Sequence, residues 1–191
     1  IFKNLDKNCP FRELAPGRVK VTSLNGTFTS QNINSHPGIF SALIFRGILF
    51  NTEALRELDH SGFFPSLAAW KTFEASHRHK GKTYLVDKLA YGRTNARSTK
   101  NADQFWDASK YLHAKLSEPS ISFLSIRSYI SDTRMSDKKP MFPTFGPLVA
   151  YLLAVDLVYA GRLPHPTVHK LATVVSKLGK GAAKAIVKMG L

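Results

Sequence analysis

Two stretches of this chain are apolar on almost every face and carry one charge each: IFSALIFRGILFN at 39–51, with Arg46, and PLVAYLLAVDLVY at 147–159, with Asp156. A helix that is apolar all round has to be covered all round, so both are read as central helices of one packed domain. Neither reaches the roughly 20 residues of a membrane-spanning helix, and no membrane partner is expected. Breaking a buried ion pair by removing one partner costs about 3–5 kcal/mol. The simplest arrangement that satisfies both lone charges is a meeting of Arg46 and Asp156 inside the bundle. Such a pair either fixes helix register or belongs to a site.

The rest of the 191 residues supplies helices to pack around these two. Helical spacing predicts segments at 52–58, from Pro65-Ser66 through Leu67, Trp70 and Phe73, at 102–117, at 121–130, and two short helices at 167–177 and 182–189 joined by Gly179-Lys180-Gly181. Residues 131–140 are polar, of mixed charge, and read as a linker or loop. The section 77–100 is basic and irregular, with Asp87 as its only acid, and reads in part as exposed loop. Near the start, RVKVTSLNGTFTSQ at 18–31 places two Val/Thr/Phe runs about Asn25-Gly26, a short-range hairpin signal. The expected fold is therefore mainly α: a helical bundle over 39–191 with a small N-terminal β-ribbon in an extension over 1–38.

Charge decides the partner. With 27 Lys and Arg against 13 Asp and Glu, the net charge is +14, which favours a polyanion, nucleic acid before membrane surface. No acid occurs from Leu157 to Leu191, whereas Arg162, Lys170, Lys177, Lys180, Lys184 and Lys188 do. Lysines beside glycine-rich backbone suit phosphate, the amides acting as directed donors and the ammonium groups as point charges. The single cysteine, Cys9, excludes an internal disulfide and a multi-thiolate zinc site. His77 and His79, and His165 and His169, lack the accompanying ligands of a metal centre; no metal and no cofactor is expected. A lone thiol fits a reducing, intracellular compartment, nuclear in a eukaryote. Because the chain opens at Ile1, further domains of the same polypeptide are expected.

The most informative motif is Phe142-Pro143-Thr144-Phe145-Gly146-Pro147-Leu148-Val149-Ala150-Tyr151. A tight turn entering an apolar helix at glycine leaves helix N-terminal amides free for a phosphate. The segment resembles the helix-hairpin-helix element of DNA-repair glycosylases, with Gly146 and Ala150 matching and Thr144 standing where the first glycine of that pattern falls. Three further blocks extend the resemblance: Phe45-Arg46, Phe50-Asn51-Thr52-Glu53 and Trp70; Ala90-Tyr91; and 146–151 through Asp156-Leu157 to Leu178-Gly179-Lys180-Gly181-Ala182. Together they are similar to the helical family linked to hypermodified thymine, which includes the α-glutamyl/putrescinyl-thymine pyrophosphorylases and the helical domain associated with 5-hydroxymethyluracil DNA kinase.

That resemblance implies a glycosylase-like helical fold and contact with DNA, as duplex or as a flipped base. Base excision is not implied, because Pro147-Leu148 stands at the position of the glycosylase lysine and no carboxylate follows Asp156. Arg46, Asn51, Tyr91 and Asp156 are the candidates for a pocket around a modified pyrimidine, 5-hydroxymethyluracil-like; Asn51 equally suits a helix cap. Thr144, Gly146, Lys177, Gly179, Lys180, Gly181, Lys184 and Lys188 are the candidates for contact with nucleic acid. The alternatives are an enzyme that displaces a pyrophosphorylated 5-hydroxymethyl group with an amine, and a basic scaffold for an acidic protein partner.

Overall fold

The computed structural model describes residues 16–57, 62–91 and 96–177. These form helices α1 (Pro16–Thr22), α2 (Ser30–Ile33), α3 (His36–Ile44), α4 (Glu53–Glu57), α5 (Leu67–His77), α6 (Lys82–Leu85), α7 (Asn101–Leu116), α8 (Phe123–Asp132), α9 (Pro147–Tyr159) and α10 (Val168–Lys177). The described residues contain no β-strand; a lone antiparallel bridge joins Arg134 and Pro140. The mainly α reading therefore holds.

Short polar side chains start these helices. Ser35 accepts from Gly38 N at 3.1 Å ahead of α3, Thr52 from Leu55 N at 3.2 Å ahead of α4, and Ser66 from Ala69 N at 3.1 Å ahead of α5. Ser122 and Ser125 form a reciprocal capping box at α8. The interior is built on α3 against α7 and α8 against α9, with Phe40, Phe45, Trp70, Phe105 and Phe142 the bulkiest fully buried side chains. α9 buries Val149, Ala150, Leu152, Leu153, Ala154, Leu157 and Val158, as its all-round apolar sequence requires.

The apolar stretch from Ile39 is not one regular helix. α3 passes into a π turn, Phe45–Leu49, closed by Phe50 N on Phe45 O at 2.7 Å, and the chain reverses at Asn51, whose φ is +66°. Gly47 is the residue that lets this turn pack: a Cβ there would lie 2.6 Å from the Phe105 ring and 3.0 Å from that of Phe145.

The expected ribbon over 18–31 is not formed. Pro16–Thr22 is helical, and helical spacing puts Arg18 and Val21 together on the buried side. Neither Asn25 nor Gly26 takes a positive φ. Gly26 is needed for closeness instead, since a Cβ there would sit 2.2 Å from Val21 O. An isolated two-stranded hairpin is marginal in water, whereas the helix places Val21, Phe28 and Ile33 in the same core as α3 and α9. The basic section after His77 is also more ordered than read: Tyr84, Leu85, Ala90 and Arg97 are buried.

Candidate functional site

Arg46, on the π turn, and Asp156, in the third turn of α9, meet at the centre of the domain. Arg46 Nη2 donates to Asp156 Oδ1 at 2.7 Å while Nε donates to Oδ2, a bidentate fork. Arg18 from α1 donates to the same Oδ1, so one carboxylate holds two guanidinium groups. Aromatic faces take up the excess positive charge: the Arg46 guanidinium lies 4.9 Å from the Phe45 ring centre and 5.0 Å from that of Phe50, and Arg18 lies 5.0 Å from Tyr159. Arg46 Nη1 also donates to the Tyr91 hydroxyl at 3.1 Å, and Tyr91 stacks on Phe50 at 4.7 Å.

Burial opposes the Arg46 charge, but Asp156 and Tyr91 more than offset it, and its pKa is raised above the ordinary value. Burial likewise raises the Tyr91 hydroxyl, against the pull of Arg46 and Arg97. Arg46 is 4% exposed and Asp156 1%. The arrangement is a buried structural hub: both carboxylate oxygens of Asp156 accept from guanidinium groups, and at 1% exposure the carboxylate is closed to a substrate.

Arg97, in the basic section expected to be partly exposed loop, is buried and braces this hub. It donates to the carbonyls of Gly47 at 3.1 Å, Phe50 at 3.2 Å and Asp87 at 3.0 Å, and to that of Arg46. Those of Arg46, Gly47 and Phe50 belong to the π turn and the reversal after it, where the helical ladder is interrupted. Carbonyl partners leave no charge pattern in a sequence, so the role was not readable beforehand.

Asn51 behaves differently. Its amide Nδ2 donates to Asp87 Oδ2, and Asp87 is itself fixed by accepting from Leu89 N at 2.7 Å. The amide oxygen, Asn51 Oδ1, is buried with no hydrogen-bond partner, as is the indole Nε1 of Trp70. Asn51 does not cap α4; the hydroxyl of Thr52 does. Both Asn51 and Trp70 line a cleft of about 1170 Å³ between α4, α5, α6 and the start of α7, whose walls also carry Arg56, Lys71, Arg78, Lys88, Arg97 and Lys100 against Glu53, Glu74, Asp87 and Asp103.

The second region picked out from sequence is the turn before α9. Phe142 O accepts from Phe145 N at 3.2 Å, and Thr144, at the expected first-glycine position, takes the left-handed φ of +72° that a glycine adopts readily. Gly146 is the N-cap of α9 with no side-chain cap, and Gly146, Pro147 and Leu148 are exposed. An arm at 133–141, bent back at Lys138, stands beside this turn and exposes Arg134, Lys138 and Lys139. Gln104 of α7 ties the two regions together by donating to the carbonyls of Pro140 at 2.7 Å and Met141 at 3.1 Å, one turn from the cleft wall at Lys100.

Of the other candidates, Lys177 ends α10, and Gly179, Lys180, Gly181, Lys184 and Lys188 lie outside the described residues, as does the helix expected at 182–189. No group of His, Cys, Asp and Glu that could hold a metal occurs among the described residues, and no helix there is long and apolar enough to cross a membrane. In comparisons with known proteins, the chain matches no family model, no curated protein and no solved structure.

Proposed function

We propose that this chain is a DNA-binding helical domain of the helix-hairpin-helix glycosylase-like type, recognising DNA with a modified, 5-hydroxymethyluracil-like pyrimidine as part of a larger protein. The observation that carries this reading is how the acids are used. Glu57, Glu74, Asp103, Asp107, Glu118, Asp137 and Asp156 are each held in an ion pair within the fold. The exposed cations Arg56, Lys88, Lys100, Arg134, Lys138 and Lys170 have no acid partner among the described residues. Against them stand Glu53, Asp87 and Asp132, which form no ion pair among the described residues; the balance, like the full chain's net charge of +14, is positive, and surplus cations on a folded surface bind a polyanion by releasing its counterions.

The left-handed turn at Thr144 and the uncapped start of α9 support the backbone-phosphate contact that the resemblance implies. The saturated state of Asp156 favours binding over amine displacement at Arg46 and Asp156, because neither charge is available to a reacting group.

Fluorescence anisotropy tests the reading. Labelled duplexes, one plain and one carrying 5-hydroxymethyluracil, are titrated with the protein at 50 and 200 mM salt and compared with a variant in which Lys177, Lys180, Lys184 and Lys188 are all changed to Gln. Affinity is expected to fall at least roughly tenfold between the two salts, to weaken in the variant, and to be higher for the modified duplex. Absence of binding to either duplex at low salt overturns the proposal and turns the search to an acidic protein.

A further inference from the structure

The connection between α8 and α9 holds more than the turn at Thr144. Residues 133–141 fold back on themselves: Met141 N donates to Thr133 O at 3.0 Å, Met135 N to Lys139 O at 2.9 Å and Lys138 N to Met135 O at 2.9 Å, around the bridge between Arg134 and Pro140. The result is a short closed arm whose tip, Ser136 to Lys139, is exposed. One side chain holds its base. Gln104 of α7 donates through Nε2 to Pro140 O at 2.7 Å and Met141 O at 3.1 Å on the returning limb, and reaches Met135 Sδ at 3.6 Å on the outgoing limb. Tyr129 of α8 adds a contact from its hydroxyl to Met141 Sδ at 3.9 Å. Both limbs are tied to the helical body, so the direction of the arm is set before any partner arrives.

The tip is built against backbone preference. A three-residue hairpin loop ends in a left-handed residue, a place that suits glycine; here it is Lys138, at φ +65°. A lysine in that conformation lowers stability where a glycine would not. It has no acid partner among the described residues, and Arg134, also exposed, donates only to the carbonyls of Ser131 and Thr133. Asp137, the one acid of the arm, pairs with Lys139 at 2.9 Å, an exposed pair that solvent screens. Arg134, Lys138 and Lys139 outnumber the acids even when Asp132, at the end of α8, is counted with Asp137.

We infer that this arm grips the DNA backbone, Lys138 and Arg134 each neutralising a phosphate, with Gln104 as the positioning residue that aims it. A charge kept where it disfavours the fold is accounted for by a contact outside the fold. A two-limbed ribbon is narrow enough for a groove of duplex DNA, which brings its tip between the two phosphate backbones. The inference rests on the DNA-binding reading and adds a contact separate from the turn at Thr144 and from the C-terminal lysines. Because the contact is with phosphate, it is blind to sequence and to base modification.

Fluorescence anisotropy of the full chain with the plain and the 5-hydroxymethyluracil duplex, from 50 to 200 mM salt, tests it. Lys138→Gly relieves the left-handed backbone and removes the charge. Its urea midpoint is expected to hold or rise while duplex affinity at 50 mM salt falls about threefold to tenfold, by the same factor on both duplexes. The slope of log affinity against log salt is expected to shrink by about 0.9 for this one contact, and by about twice that when Arg134→Gln is added. Lys138→Asn, which also tolerates the left-handed backbone, repeats the test should glycine loosen the arm. Gln104→Leu keeps every charge and is expected to weaken binding about threefold in the wild-type background and not at all in the chain carrying Lys138→Gly with Arg134→Gln; an equal loss in both backgrounds removes Gln104 from the positioning role. Wild-type affinity and slope in the Lys138 and Arg134 variants, or a loss confined to one duplex, overturn the inference and leave the DNA-binding reading standing. A wild-type chain that binds neither duplex at 50 mM salt removes both.

Discussion

The hub at Asp156 and the cleft at Asn51 lie on either side of one short π turn and treat polar groups in opposite ways. At the hub three buried charged groups satisfy one another, backed by aromatic faces and by Arg97 on the carbonyls beneath. At the cleft an amide oxygen and an indole donor are held by strong local geometry and left unpaired. Isolated charge in an apolar helix marks where this fold is pinned, whereas the amide oxygen and indole nitrogen beside the cleft are polar groups that the packing leaves without such partners.

The largest effect is expected from breaking the hub. Asp156→Ala leaves two buried guanidinium groups without their carboxylate and should cost about 3–5 kcal/mol, read as a lower urea midpoint; DNA affinity measured where the variant is still folded should change little. Arg97→Lys keeps the charge but cannot span the separate carbonyls of Gly47, Phe50 and Asp87, and a loss of about 3 kcal/mol is expected by chemical denaturation. Gly47→Ala drives a methyl group into Phe105 and should cost about 2 kcal/mol, with a lower melting temperature as the readout. The smallest effect concerns Tyr91. Its folded pKa is raised above the ordinary value of 10.0, so the folded form holds its proton more tightly than the unfolded chain. The stability this gives is present below the unfolded pKa and is lost as pH rises through the folded one. Denaturation midpoints between pH 9 and 11 should therefore fall less steeply in Tyr91→Phe than in wild type; equal slopes would remove Tyr91 from the hub's electrostatics.

What was legible beforehand follows the same division. Arg46 and Asp156 announced each other because each is the sole charge of an apolar helix. The start of α9 was legible from Gly146-Pro147, and the turn before it takes a left-handed φ at Thr144. Arg18 was hidden: alternating Arg18-Val19-Lys20-Val21 about an Asn-Gly pair has the period of a strand, and only tertiary burial of Val21 and the carboxylate of Asp156 select the helix. Arg97 was hidden because its partners are backbone carbonyls, and the partnership of Asn51 with Asp87 because the two are far apart in sequence with no helical spacing between them.

On the proposed function, the surplus charge serves DNA and the start of α9 receives a phosphate. Gly146→Asp tests it most directly, because stability and binding are expected to move in opposite directions. Gly146 has N-cap geometry, with φ −71° and ψ −179°, and open space where a side chain would go. An aspartate there caps the helix and should hold or raise the melting temperature, by a few tenths of a kcal/mol at about the size known for Gly-to-Asp caps, while its carboxylate occupies the amides and repels phosphate. Duplex affinity, measured by anisotropy at 50 mM salt, is expected to fall about tenfold or more in a protein at least as stable as wild type; undiminished affinity in that folded variant would contradict a phosphate site at the start of α9.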